Sequence, residues 1–407
     1  MSTVGPLQWG ATFAAVQAEG AALASDWFAW ERDGEAPPSF DGNGFAVDFA
    51  DDLRLLRQFG AGAVRLTVDW ARIEPGAGHV DGAVLDRYRE VLDAARAEGL
   101  DTVVALVDGP LPGWFSIDER GWRDRRARTY FWPRHVERIG DHLGDLVSGW
   151  VPILRPVSIA RGAFITATAP PGTRSVQRFV ETVQGCFLAS LEAWRVLRGA
   201  APVALGVEGA PVRSGEEGGE RPAKLYDTVQ WAWTAALRDG ELALPRLPPV
   251  RLDGARDAFD AIALTFDGGY AVGADGRVAR YRREDELLAT LHRLAEHSGD
   301  RPLWVVGHTA SQGDPKADAE AAEVAQHDVE AARHDGIDVR RWLWEPAIDG
   351  YELRSGFDAT LGLFDRNRLA KPAAEYLRDR WSPTETAPGE GEPAAADDAP
   401  GRGPGTG

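Results

Sequence analysis

The chain has 407 residues, of which 44% are hydrophobic and 27% are charged, and its formal net charge is −18. A chain of this length can bury a large core, while its acidic balance argues against nucleic acid or an anionic membrane as a partner, because phosphate binding requires clustered cations. The single cysteine, Cys186, excludes an internal disulfide framework, and the chain shows neither a signal-like start nor a run of eighteen apolar residues, so a cytoplasmic protein is expected.

Short runs rich in β-branched residues alternate along the chain with amphipathic stretches of helical period. The predicted strands are Gln8–Thr12, Ala63–Val68, Thr102–Val107, Val151–Leu154, Val203–Val207, Ala261–Phe266, Leu303–Val306 and Arg340–Trp344. The predicted helices include Asp51–Phe59, Leu85–Glu98, His135–Val147, Arg178–Leu197, Glu284–His297 and Ala317–His334. Such alternation indicates parallel strands joined by right-handed crossovers, and eight of them close a barrel. The sequence therefore predicts an α/β protein built as a single (β/α)8 TIM barrel.

The composition changes at residue 382. From there to residue 407 the chain is dominated by Pro, Gly, Ala, Asp and Glu and contains no large apolar residue. Burial cannot offset the entropy of ordering such a segment, so we predict a disordered acidic tail over residues 382–407. The barrel domain is accordingly predicted to occupy residues 1–381.

In barrels of this type, the groups that act on a ligand lie at the carboxyl ends of the strands. The polar residues at or just after the predicted strand ends are Asp69, Asp108, Arg155, Glu208, Asp267, His308 and Glu345. Because a buried charge must be paired, Arg155 is expected to contact a neighbouring carboxylate. His308, Asp108 and Asp267 stand on separate strands without a local metal-binding signature, so neither a metal nor a cofactor is expected.

A series of short motifs lies in order along residues 7–380. The motifs are Trp9-Gly10-Ala11-Thr12, Gln17-x-Glu19-Gly20, Val64-Arg65-Leu66, Trp70-x-Arg72-Ile73-x-Pro75, Leu111-Pro112-x-Trp114, Gly121-Trp122, Pro170-Pro171-Gly172 and Asp349-Gly350-Tyr351-Glu352-Leu353-x-x-Gly356-Phe357. This series resembles glycoside hydrolase family 1, the β-glucosidase family of retaining enzymes. The resemblance implies a protein of carbohydrate metabolism whose partner is a small carbohydrate or glycoside.

The two catalytic positions of that family are substituted in this sequence. A retaining glycosidase uses one carboxylic acid to protonate the leaving oxygen and one carboxylate to attack the anomeric carbon. The family carries the acid in an Asn-Glu-Pro motif after strand four and the nucleophile in a Glu-Asn-Gly motif after strand seven. The matching segments here are Leu154-Arg155-Pro156 and Gly307-His308-Thr309. Arginine keeps its proton and glycine has no side chain, so we predict that the usual pair is absent.

The sugar-binding positions that the resemblance implies are kept unevenly. Gln17 and Glu352 stand where family members hydrogen-bond sugar hydroxyls. Elsewhere the family's His and Trp after strand three are Asp108 and Gly109, its Asn and Tyr on strand six are Thr265 and Phe266, and its Trp beside the sugar-binding Glu is Leu353. Arg65, which supports the nucleophile in the family, has no evident partner in the sequence.

Three functions remain open at this stage, and the first is a catalytically degenerate member that binds a carbohydrate or a related polar ligand. Its candidate ligand-binding residues are Gln17, Arg65, Asp108, Arg155, His308, Trp344 and Glu352. Aromatic faces stack on sugar rings. The tryptophans expected to line a pocket are therefore Trp27, Trp30, Trp114 and Trp344.

The second is an active glycosidase or transglycosidase with relocated carboxylates, for which Asp108, Asp267 and Glu345 are the candidates. Arg155 would suit a β-glycoside that bears a carboxylate or phosphate. The third is a non-catalytic structural or interaction barrel. If no chemistry remains, the strand-end acids and Arg155 are expected to satisfy one another as ion pairs. The ligand and the oligomeric state stay open.

Overall fold

Eight parallel strands form a ring in the computed structural model, which describes residues 4–281, 286–309 and 313–381. The strands are β1 (Gln8–Phe13), β2 (Ala63–Thr67), β3 (Asp101–Ala105), β4 (Gly149–Val151), β5 (Ala204–Glu208), β6 (Ala261–Phe266), β7 (Leu303–His308) and β8 (Val339–Trp344). Hydrogen-bonded neighbours run in the order β4-β3-β2-β1-β8-β7-β6-β5, and a parallel bridge between Trp150 and Val203 joins the two ends. The predicted (β/α)8 TIM barrel is confirmed.

Helices follow the strands and cover the outside of the ring. Within the described residues the α-helices are α1 (Ala15–Glu19), α2 (Asp26–Arg32), α3 (Phe45–Gln58), α4 (Trp70–Ile73), α5 (Gly82–Ala97), α6 (Trp132–Leu143), α7 (Pro156–Arg161), α8 (Val176–Leu197), α9 (Glu220–Asp239), α10 (Glu286–Ser298), α11 (Pro315–His334) and α12 (Pro372–Trp381). None of these helices is long and apolar enough to cross a membrane.

The inside of the ring is filled mainly by small apolar side chains. The members of this inner cluster are Ala63, Val103, Ala105, Val151, Leu154, Ala204, Ala261, Ala263, Trp304, Val306 and Leu343. Trp304 is the largest of them, and a β-carbon at Gly149 would lie 2.7 Å from its indole ring. Gly149 therefore lets the tryptophan cross the barrel, and the packed interior confines any ligand site to the mouth.

The strand predictions hold in place and differ in extent. The fourth prediction shares only Val151 with the structure, because β4 begins two residues earlier, at Gly149, and ends at Val151, where Pro152 has no N–H to continue the ladder. Strand β7 continues past Val306 to His308, so Gly307 lies within a strand.

Two features near the mouth were not predicted. Helix α9 begins with a proline in its first turn, which a helix tolerates but a periodicity search discounts. A small sheet of Val212–Ser214, Gly269–Val272 and Val278–Tyr281 follows β5 and β6. The predicted tail, residues 382–407, lies outside the described residues, as do the first two residues of the helix predicted over Glu284–His297.

Candidate functional site

Two arginines and two carboxylates meet at the mouth of the barrel, and we call them the charge cluster: Arg65, Asp108, Arg155 and Glu345. Arg155 donates from Nε to Oδ1 of Asp108 over 2.9 Å and from Nη2 to Oε1 of Glu345. Arg65 Nη2 lies 3.3 Å from Oδ2 of Asp108 and 3.2 Å from Oε1 of Glu345. The expectation that Arg155 pairs with carboxylates is confirmed. The expectation that Arg65 has no evident partner is wrong, because Glu345 on another strand supplies one.

The four side chains of the charge cluster are largely buried, so their ion pairs are weakly screened by water. The side chain of Arg65 is fully buried, those of Asp108 and Glu345 are 5% and 7% exposed, and that of Arg155 is 23% exposed. Burial opposes ionisation of Glu345, but Arg155 and Arg65 outweigh that penalty and hold its pKa below the usual value. The two carboxylates overcome the burial of Arg155 and raise its pKa further. Burial raises the pKa of Asp108 against the opposing charges of Arg155 and Arg65. With both carboxylates ionised, the charges of the two arginines and the two carboxylates cancel.

The position of Arg155 is set by the start of helix α7. Pro156 opens that helix, and the carboxylate of Glu208 at the end of β5 accepts the backbone N–H groups of Val157 over 2.7 Å and Ser158 over 2.8 Å. A carboxylate at a helix N-terminus satisfies donors that have no partner within the helix. Glu208 is thus a structural cap that holds the backbone next to Arg155.

Glu345 occupies the space that a side chain at position 307 would need. A β-carbon on Gly307 would lie 2.1 Å from Oε2 of Glu345 and 3.3 Å from Cγ2 of Thr265. The carboxylate cannot easily give way, because Arg65 and Arg155 hold its other oxygen. The observed position of the Glu345 carboxylate is therefore compatible only with glycine at position 307.

The aromatic and histidine candidates lie in a buried layer. His308 is 5% exposed, and its Nδ1 accepts the indole N–H of Trp342 over 3.0 Å. That bond assigns the proton of a neutral His308 to Nε2. Trp344 is 1% exposed and donates to the carbonyl of Leu361 over 3.2 Å, so its ring does not line an open pocket as expected.

Asp267 is engaged outside the charge cluster. The hydroxyl of Tyr270 donates to its Oδ1 over 2.7 Å, and Arg280 forms an ion pair with its Oδ2. Both partners belong to the small sheet that sequence analysis did not predict. Across the described residues, no three His, Cys, Asp or Glu side chains come together as metal ligands.

Gln17 and Glu352 offer polar groups that the described part of the chain does not use. Neither side chain has a hydrogen-bond or ion-pair partner among residues 4–281, 286–309 and 313–381. Gln17 lines a small cavity of about 20 Å³ together with Asp108. Burial raises the pKa of Glu352 to about 7, and the charge of Glu345 adds to that rise while Arg155 opposes it. Glu352 therefore lies within electrostatic reach of the charge cluster.

A larger cavity of about 160 Å³, which we call the side pocket, opens beside the charge cluster, with Asp108 and Arg155 in its wall. Its apolar lining consists of Trp27, Leu111, Trp122, Ile159, Phe164 and Leu353, together with smaller residues. Arg120 and Arg123 also line it, and sequence analysis missed both. No local signal marks them, because the loops after β1, β3, β4 and β8 all contribute to the lining.

The closed ring and the polar mouth define a (β/α)8 TIM-barrel protein with its candidate site where barrel enzymes hold theirs. Residues 5–208 match the model of Glycosyl hydrolase family 1, and the chain belongs to that family.

Relatives and solved structures agree with this family. Over 203 residues the chain is 30% identical to aryl-phospho-beta-D-glucosidase BglC of Bacillus subtilis, an alignment that covers 46% of this chain and 41% of that protein. It is 25% identical to Klotho of Rattus norvegicus over 365 residues, which cover 80% of this chain and 36% of that protein. The chain thus spans less than half the length of these two relatives.

Two solved structures show the same fold. The beta-glycosidase from Pyrococcus horikoshii superimposes with a TM-score of 0.82 at 20% identity, covering 94% of this chain and 96% of that one. The beta-glucosidase from Thermotoga maritima in complex with deoxynojirimycin gives a TM-score of 0.80 at 16% identity, with coverages of 92% and 97%.

Proposed function

We propose that this chain does not hydrolyse glycosides by the two-carboxylate route of its family and instead binds a carbohydrate or a related polar ligand at the barrel mouth. The observation that carries the proposal is the charge cluster. By its resemblance to the family, the sequence has Arg155 in the position of the acid and Gly307 in that of the nucleophile. The guanidinium of Arg155 forms ion pairs with the nearest carboxylates, Asp108 and Glu345.

The chemistry of the cluster supports the loss of the family route. A general acid must release a proton near the working pH, and Arg155 holds its proton more tightly than a free arginine. A nucleophilic carboxylate needs a lone pair directed at the anomeric carbon. Oε1 of Glu345 is shared by two guanidinium groups, and its Oε2 lies against the backbone of Gly307.

Ligand binding is supported by the polar groups that the protein leaves unused. The amide of Gln17 both donates and accepts, and the carboxyl of Glu352 can do the same while it is protonated. Both side chains are only partly buried, so their polar groups are accessible to a ligand that replaces water and hydrogen-bonds them.

Calorimetry with monosaccharides and β-glycosides tests this proposal. We expect at least one of them to bind without turnover, and Gln17→Ala and Glu352→Ala to weaken that binding about tenfold each, in line with the loss of one polar contact. The exposed variant Glu90→Gln is the matched control and should bind as the wild type does. If the folded protein binds none of these monosaccharides and β-glycosides, the result would contradict ligand binding and favour a structural or interaction barrel.

A second candidate is a glycosidase with relocated carboxylates, and one observation favours it. The pKa of Glu352 is raised to about 7 by burial, whereas the arginines hold the pKa of Glu345 low despite its burial. Two carboxyl groups whose pKa values are driven apart are the usual sign of an acid paired with an ionised carboxylate. In this alternative Glu352 would be the proton donor and Glu345 the ionised partner.

The alternative predicts a specific pH dependence. The rate would require protonated Glu352 and ionised Glu345, so hydrolysis of an aryl β-glycoside should be present below pH 7 and fall as the pH rises through about 7. Glu352→Gln should abolish the rate and with it the pH dependence, and the exposed variant Glu90→Gln should retain both. No turnover at pH 5–6 above that of Glu352→Gln would exclude the alternative.

A further inference from the structure

The side pocket has the dimensions of a site for one ring. Its volume is about 160 Å³. An apolar cavity of about 150 Å³ in another protein accommodates benzene. The rings of Trp27, Trp122 and Phe164 form part of its walls, and Leu111, Ile159 and Leu353 add aliphatic surface. Polar side chains, among them Asp108, Arg155 and Ser158, also belong to the lining, and a flat apolar ring placed against the apolar walls would bury its surface.

Two aromatic residues in the walls of the side pocket, Trp27 and Trp122, contact residues that lie outside the pocket. The indole of Trp27 donates to the hydroxyl of Tyr351 over 3.2 Å. Trp122 packs edge-on against Phe115 at 4.9 Å and against Trp132 at 5.2 Å. At Gly109, where φ is +136° and favours glycine, a β-carbon would meet no atom within 4 Å. The rings of Trp27 and Trp122 are therefore positioned by residues outside the lining of the pocket.

The rim of the pocket carries two arginines, Arg120 and Arg123, whereas Asp26 and Asp108 are the carboxylates of its lining. Within the described residues, no carboxylate lies within 4.0 Å of the guanidinium of Arg120 or Arg123. The guanidinium of Arg123 lies 5.1 Å from the centre of the Phe164 ring. Burial and the charges of Arg178 and Arg120 lower the pKa of Arg123, and the charge of Glu181 partly opposes them. An anion at this rim would relieve that repulsion.

From these features we infer that the side pocket binds a small aromatic monocarboxylate, with its ring between Trp27, Trp122 and Phe164 and its carboxylate at Arg120 and Arg123. Arginine recognises a carboxylate through paired N–H groups, and the aromatic walls match a single planar ring. The inference goes beyond the proposed function, because Gln17 and Glu352 do not line the side pocket.

Calorimetry with benzoate as the probe tests the inference against three comparison compounds. Acetate keeps the charge without the ring, benzyl alcohol keeps the ring without the charge, and cyclohexanecarboxylate replaces the planar ring by a thicker one. We expect benzoate to bind at least about tenfold more tightly than each of them, because only benzoate satisfies both the walls and the rim.

Two variants locate the site. Leu353→Trp enlarges a lining side chain and should abolish benzoate binding, and Arg123→Gln should weaken it at least about tenfold. Their matched controls, Leu369→Trp and Arg32→Gln, change exposed residues and should bind benzoate as the wild type does. Thermal unfolding establishes that each variant is folded, and Arg123→Gln reports on the site even if Leu353→Trp does not fold.

The outcomes separate this inference from the proposed function. Benzoate binding that persists in Gln17→Ala and Glu352→Ala supports an independent side pocket, even if the sugar panel is silent. Benzoate that binds no better than acetate or benzyl alcohol overturns the inference. Unchanged affinity in a folded Arg123→Gln variant overturns it as well.

Discussion

Replacing Arg65 by methionine is expected to lower the free energy of unfolding by about 3–5 kcal/mol at pH 7, the range observed when one partner of a buried ion pair is removed. Arg65 is fully buried and contacts both carboxylates of the charge cluster. Its loss would leave Asp108 and Glu345 with one guanidinium between them. Methionine fills a similar volume, so the effect reports mainly on charge.

The loss of stability caused by Arg65→Met should depend on pH in a defined direction. In the wild type the pKa of Glu345 is held low, so its contribution is present above the pKa of an unfolded glutamate and is lost as the pH falls. Burial already holds the pKa of Asp108 above its usual value in the wild type. In Arg65→Met the pKa of Asp108 should rise further and that of Glu345 should rise as well, so folding takes up more protons than in the wild type and the variant loses more stability as the pH rises. The deficit should be smallest near pH 4 and largest above pH 7.

Urea unfolding across this pH range measures the effect. The double variant Arg65→Met/Glu345→Gln should recover part of the loss, because it restores a neutral cluster. Arg195→Met is the matched control: Arg195 pairs with Glu192 at the surface, and its loss should cost less than about 1 kcal/mol. If Arg65→Met behaves like Arg195→Met at pH 7, the charge cluster does not stabilise the fold.

The substitution Gly307→Ala is expected to have the second large effect. It should lower the free energy of unfolding by about 2–3 kcal/mol, near the upper end for overpacking of a tight site. The new methyl group would lie 2.1 Å from Oε2 of Glu345. The backbone at 307 does not have a positive φ, so the cost arises from this contact rather than from backbone strain. In contrast, Gly82→Ala meets no atom within 4 Å and should change stability by less than about 1 kcal/mol.

A double-mutant cycle isolates the contact. Glu345→Ala removes the carboxylate, so Gly307→Ala should cost about 1–3 kcal/mol less in that background than in the wild type. Additive losses would mean that the two positions do not compete for space. If positions 307 and 345 do compete for space, there is a functional consequence. A glutamate introduced at position 307 is then not expected to be accommodated unless Glu345 is also replaced.

The sequence predicted that Arg155 pairs with a carboxylate at the strand ends, but it did not identify which carboxylates those are. Asp108, Arg155 and Glu345 were singled out because each stands at a strand end, and closing the ring brings those ends together. The contact of Arg65 with Glu345 links residues 280 positions apart. Asp267 was equally prominent in the sequence, yet Arg280 and Tyr270 of an unpredicted sheet engage it.

The sequence by itself determined the barrel and the family motifs and predicted that Arg155 and Gly307 replace the family's two carboxylates, because strand alternation and motif spacing are local properties of the chain. Only the tertiary structure decided which charges neutralise one another, why Gly307 excludes a side chain, and where the side pocket opens. These features depend on atoms from separate strands and loops meeting within a few ångströms. Side-chain directions and packing set such distances, and a linear pattern does not contain them.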